Sequence, residues 1–142
     1  MLDGITAAVL ALTDLPGVYP TVTALHIFGI ALLVGPVVLV DLAGLRLLTA
    51  PGLAAAAGSL LKAAGVGLSL AMLSGFFLFA VQPGAYLANP LFLAKLGIVT
   101  AGVINGLSWA RSAGLPPAWR CAVSLLVWPV ALLLGRWVGF VG

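Results

Sequence analysis

Three side chains able to do chemistry fall inside apolar runs of this sequence: His26, Lys95 and Arg136. A neutral imidazole is a standard axial ligand to haem iron, and an amine can serve as a ligand or polar partner. A guanidinium can pair with a haem propionate. Gly29, on the same helix as His26, leaves room for a flat macrocycle, and Tyr19 adds a phenolic donor two turns earlier. These residues point to a b-type haem with His26 as the metal ligand, Lys95 as second ligand or polar partner, and Arg136 as propionate counter-ion. His26 is the single histidine, so a bis-histidine haem within one chain is excluded. The sixth position falls to Lys95, to Met72 or to nothing, unless two copies share the haem through their His26 side chains. A quinone would use the same groups differently, with His26 and Tyr19 or Lys95 donating to its carbonyl oxygens.

Plainer roles compete with these. A lone membrane histidine is satisfied by a hydrogen bond to a backbone carbonyl, Tyr19 or Thr23, and the long stems of Lys95 and Arg136 can carry their charges outward to headgroups. Asn105 reads as a polar contact between helices. Asp3, Asp14 and Asp41 stand at expected helix ends, where capping accounts for them, and Arg46 reads as an interfacial anchor. Serine nucleophiles, paired carboxylates and phosphate-binding loops are missing, so no catalytic residue is assigned and enzymatic activity stays open. Cys121 is the single cysteine, which excludes an internal disulfide and a Cys-based zinc or iron–sulfur site in one chain. Copper handling is poorly supplied, with Met1, Met72, Cys121 and His26 as the soft or imidazole ligands.

The elements that must position His26, Lys95 and Arg136 are membrane spans. Of 142 residues, 63% are hydrophobic and 6% charged, and the mean hydropathy is +1.29. Such a chain cannot cover its apolar surface in water, so its partner is the lipid bilayer. The net charge of +3 is scattered and forms no basic stripe for nucleic acid. A helix crossing about 30 Å of hydrocarbon needs about 20 apolar residues. Four runs qualify, at about 20–40, 60–81, 91–110 and 121–141, separated by Thr49-Ala50-Pro51-Gly52, Gln82-Pro83-Gly84 with Asn89-Pro90, and Gly114-Leu115-Pro116-Pro117. The stretch at about 4–13, with Asp3 as its N-cap, is too short to cross and reads as an interfacial helix. It lacks the basic start and cleavage pattern of a signal peptide.

The expected fold is therefore all-α: one membrane domain over 1–142, an antiparallel four-helix bundle preceded by a short N-terminal interfacial helix. Arg46 with Lys62, and Arg111 with Arg120, flank the loops after the first and third spans. The positive-inside rule puts those loops in the cytoplasm and both termini outside. His26, Lys95 and Arg136 then share one level, roughly 6–9 Å below the outer surface. Gly67-Ala71-Gly75, Gly102 with Gly106, and Gly135 with Gly139 mark helix-packing faces.

The run Val18-Tyr19-Pro20, then His26, Gly29, Gly35, Asp41-Leu42 and Arg46-Leu47-Leu48 resembles a family of small bacterial four-helix membrane proteins of unknown function. Gly75-Phe76-Phe77-Leu78-Phe79 and Asn89-Pro90-Leu91-Phe92-Leu93-Ala94-Lys95-Leu96 extend the resemblance to about Leu107. More distantly, a His on an early helix and a Lys opening a later one resemble the HemJ-type membrane haem proteins and the CopD-type copper-resistance membrane domain. The HemJ resemblance implies non-covalent haem b and porphyrinogen oxidation, with His26 and Lys95 carried over. The leading expectation is a cytochrome-like protein of the bacterial inner membrane, exchanging electrons with a quinone or an outside carrier. The alternative is a non-catalytic membrane subunit that packs as a homodimer or within a larger membrane complex.

Overall fold

The computed structural model describes the backbone of residues 2–109 and 114–141 and the side chains of 4–109 and 114–140. Arg111 and the side chain of Asp3 lie outside these. The described chain is all-α: α1 (Leu2–Thr13), α2 (Val18–Gly44), α3 (Leu53–Val81), α4 (Pro83–Ala88), α5 (Pro90–Leu107) and α6 (Ala118–Val141). Four of these, α2, α3, α5 and α6, are long and apolar enough to cross a membrane. Large side chains such as Leu73, Leu126 and Phe140 stand exposed around the bundle, as suits helices whose solvent is lipid.

Several boundaries differ from the reading of charges and turns. Helix α1 begins at Leu2, so Asp3 falls in its first turn and not at the cap. Helix α3 starts at Leu53, ahead of the hydrocarbon-length run, because the good helix formers Ala54–Ala57 extend it, and its 29 residues reach about 43 Å. Gly52 stands just before it at φ 80, a left-handed conformation that suits glycine. Helix α2 runs past Asp41 to Gly44, so this carboxyl lies inside the last turn. The turn between α3 and α5 contains the extra short helix α4, opened by Pro83. Asn89 caps α5, its Oδ1 accepting from the Leu91 N–H at 3.0 Å with Pro90 at the first helical position. Phe79, Tyr86 and Phe92 hold this turn as an aromatic cluster with ring centroids 5.1–6.1 Å apart. Burial, and secondarily the nearby Tyr19 phenol, push the Tyr86 hydroxyl above its ordinary pKa.

Four hydroxyl side chains within the spans satisfy themselves locally. The hydroxyls of Thr21, Thr23, Ser69 and Thr100 donate to carbonyls four residues earlier. Pro36 and Pro129 sit inside α2 and α6, a placement common in membrane helices.

The bundle is built from two hairpins. Helices α2 and α3 pack along their length in opposite directions, with His26 at Gly75, Gly29 at Ala71 and Leu33 at Gly67. Helices α5 and α6 do likewise, with Lys95 at Gly135, Gly102 at Trp128 and Asn105 at Arg120. Contact of α2 with α6 joins the hairpins, while α3 and α5 scarcely touch. Leu33, Ala64 and Trp128 form the core, with Val37, Leu68 and Val103 against it. Helix α1 leans on α3 and α2 with Val9 buried.

Glycine sets the α2–α3 spacing. A methyl group at Gly67 would lie 2.5 Å from the backbone N of Leu33, and one at Gly29 2.7 Å from that of Ala71. Backbone cannot yield as a flexible side chain does, so Gly67→Leu should destabilise the hairpin by at least about 1–3 kcal/mol. Gly58→Leu, whose added carbon meets nothing within 4 Å, is the control. Thermal unfolding in detergent should show a drop for the first variant and little change for the second.

Candidate functional site

At the end of the bundle where the chain begins, the His26 ring lies between α2 and α3. Its Nδ1 is 3.0 Å from the Ala71 carbonyl oxygen and 3.1 Å from Ser74 Oγ. The carbonyl can only accept, so Nδ1 carries the proton. Ser74 already donates to the Leu70 carbonyl, leaving its oxygen free to accept as well. In the neutral ring, this hydrogen bond places the lone pair on Nε2. Gly75 makes room for the ring, since a methyl group there would meet His26 Cε1 at 3.0 Å. Of the plainer partners for His26, a backbone carbonyl is the one used. Tyr19 is exposed and Thr23 bonds its own helix.

Lys95 lies across Gly135 of α6, where a methyl group would stand 3.2 Å from Nζ. It stands at the same end of the bundle as His26, which packs at Gly75 of α3. Arg136 does not join them. It is exposed, with its guanidinium 4.7 Å from the Phe140 ring one turn on, a cation–π contact at the bundle surface. Met72 is also exposed, and the space at Gly29 is filled by the α3 backbone. The structure thus packs His26 on α3 and Lys95 on α6 at one end of the bundle and leaves Arg136, Tyr19 and Gly29 to other contacts.

For a haem, the donor and the enclosure give different answers. A histidine whose Nδ1–H is held by a carbonyl and whose Nε2 is unprotonated has the arrangement of an axial ligand. Around it, the flat space sought at Gly29 is occupied, the ring lies against Gly75, and the expected propionate partner faces outward. The described residues of one chain do not fit an enclosed haem. Among them, no three His, Cys, Asp or Glu side chains gather as a metal site would require.

The opposite end holds a group that the sequence reading passed over. Asp41 is only 5% exposed, in the last turn of α2, facing Ser124 and Cys121 of α6. Cys121 is fully buried beneath Gly44, whose bare backbone it packs against. Among the described residues, neither the buried Asp41 Oδ2 atom nor the indole Nε1 of Trp109 has a hydrogen-bond partner. Both residues line a cavity of about 120 Å³, walled by Leu33, Val37, Leu68 and Trp128 among others. Arg120 and Asn105 also reach this cavity, but they bind each other. Arg120 donates to the Asn105 carbonyl at 3.1 Å, Asn105 Nδ2 donates to the Arg120 carbonyl at 3.3 Å, and the guanidinium stacks near Trp109 and Trp119. Asn105 is thus the polar contact between helices expected of it.

One signal for Asp41 was present in the sequence. The C-terminal end of a helix is its negative end, so an acidic side chain there is misplaced as a cap. No protein-family model, curated protein or solved structure matches this chain.

The His26 clamp has a measurable weight. His26→Ala removes the hydrogen bond from α2 to α3 and leaves a gap at Gly75, and should cost roughly 1–3 kcal/mol in detergent unfolding. Ser74→Ala, which leaves the Ala71 carbonyl in place, should cost less. Equal stability of His26→Ala and the parent chain would show that the ring does not hold the hairpin.

Proposed function

We propose that this chain is a non-catalytic membrane subunit that packs against a second copy or another membrane helix. The observation that carries this reading is the state of α5. Gly102 is its one buried residue, and Ala94, Gly97 and Ala101 line an exposed face at spacings of three and four. Small residues so spaced let another backbone approach closely, which is how helices associate in lipid. His26 supports the same reading, because its ring joins two helices of the chain. The packing of Gly102 on Trp128 and of Gly135 on Lys95 is internal, so association falls to the open α5 face. Arg46, Lys62 and Arg120 cluster toward the end where α2 gives way to α3. By the positive-inside rule that end is cytoplasmic and both termini are outside, in a bacterial inner membrane.

Gly97→Leu tests this reading, because its added carbon meets nothing within 4 Å and the fold of the chain is spared. Sedimentation in mild detergent and cross-linking in membranes should show a complex for the parent chain and a monomer for the variant. A parent chain that is monomeric and uncross-linked in its own membranes overturns the proposal.

A second reading is favoured by the anchoring of His26 Nδ1 on the Ala71 carbonyl, which leaves Nε2 for a metal: a haem b held at the bundle surface or between copies, with Lys95 as partner. The haem would supply one-electron chemistry, and His26 would hold it with Nδ1 anchored on Ala71. A reduced-minus-oxidised spectrum of protein from haem-supplied cells should then show a Soret band that His26→Ala abolishes. A flat spectrum, or a band unchanged in that variant, removes the reading.

A further inference from the structure

A second hollow, apart from the one beside Asp41, lies where α2 gives way to α3. It is an open cleft of about 450 Å³, within the range of pockets that hold small molecules. Its walls are mostly apolar, Ala43, Leu48, Pro51, Leu53 and Leu115 among them, and Arg46 is the charged residue on its lining. The 27 residues of α2 and the 29 of α3 reach roughly 40 and 43 Å, which is the thickness of a bilayer with its headgroups included. The junction of two such helices lies among headgroups, and Arg46 stands at the depth of lipid phosphates.

The charge of Arg46 has no counterpart within reach. Of the acids with described side chains, Asp14 lies before the far end of α2, and the Asp41 carboxyl faces Ser124 and Cys121 of α6. Other cations at this end are placed differently. Arg120 is held by Asn105, Ser108 and two indole rings, while Lys62 lies more than two turns into α3 and off the cleft. Arg46 also has φ 59, the left-handed conformation in which a helix exit favours glycine. The turn alone would be better served by glycine, so the guanidinium calls for another explanation. A cation at phosphate depth beside an apolar cleft matches a lipid that carries negative charge above an acyl chain. A zwitterionic lipid matches less well, because its ammonium would find no described acid facing the cleft. We infer that the cleft binds one anionic phospholipid, its phosphate held by Arg46 and its glycerol and upper acyl segment seated among Leu48, Leu53 and Leu115. No α5 residue lines the cleft, so this site does not depend on association through the α5 face.

The test uses the full chain in phosphatidylcholine nanodiscs carrying a trace of one of two photoreactive lipids. One is a phosphatidylglycerol and the other a phosphatidylcholine, each with the same diazirine high on one acyl chain, and cross-links are mapped by mass spectrometry. The anionic probe should label cleft residues about fivefold more than the zwitterionic one, the advantage of one cation near a lipid surface. Arg46→Gln and Arg46→Gly should bring the two probes to parity. The glycine variant suits the left-handed backbone, so its thermal unfolding should be unchanged or raised and its lost preference is not lost fold. Lys62→Gln, which leaves the cleft untouched, should keep the fivefold preference. Ala54→Trp, at an exposed position on the lining, should lower labelling by both probes. Equal labelling of the parent chain by the two probes, a preference retained in Arg46→Gly, or full labelling in Ala54→Trp overturns the proposal. An equal loss of preference in Lys62→Gln overturns it in favour of diffuse surface charge, and a cleft labelled by neither probe overturns it in favour of a docked protein segment.

Discussion

Two helices in lipid gain nothing by hiding apolar surface from each other, because the hydrocarbon tails are as apolar as leucine. What holds α2 to α3 must therefore be close packing and hydrogen bonding. The chain supplies both on one line. Gly29 and Gly67 let the backbones meet, and His26 one turn nearer the chain start donates across to Ala71. The rest of the bundle is assembled on this hairpin. Helix α6 reaches it through Gly44 and Cys121 at one end, and α5 is carried on α6.

This arrangement gives the two ends of the bundle different characters. Near the chain start, the imidazole is engaged between helices and the two cations lie along α6, Lys95 over Gly135 and Arg136 over Phe140. At the other end the hairpins leave a cavity, lined by the paired Asn105 and Arg120 as well as by Asp41 and Trp109. The difference follows from glycine placement. Gly29, Gly67 and Gly75 close α2 onto α3, whereas Gly65 and Gly106 face open space, so the same residue type makes a contact in one place and an opening in another.

Much of the fold was legible without coordinates. Apolar runs of bilayer length, broken by Pro, Gly and Asn, specify four spans and their alternating direction, because a backbone in hydrocarbon has few ways to satisfy its polar groups. Element ends were less legible, since a charge does not stop a helix: α2 continues through Asp41, and α3 starts well before its hydrocarbon-length run. The helix pairs were only partly legible, because small residues are abundant and spacing alone does not say which stripe meets which neighbour.

The candidate sites divide along the same line. By itself the sequence determined that His26, Lys95 and Arg136 lie at one level of an antiparallel bundle, because depth follows from rise per residue. It could not determine azimuth. Neighbouring positions on a helix point about 100° apart, so Gly135 receives Lys95 while Arg136, the next residue, turns to the surface and Phe140. Only the tertiary structure decided which polar atoms find partners: His26 Nδ1 met a carbonyl on α3, while among the described residues Asp41 Oδ2 and Trp109 Nε1 were buried without one. Hydrogen bonding depends on the rotation and separation of packed helices, which the order of residues along one helix does not contain.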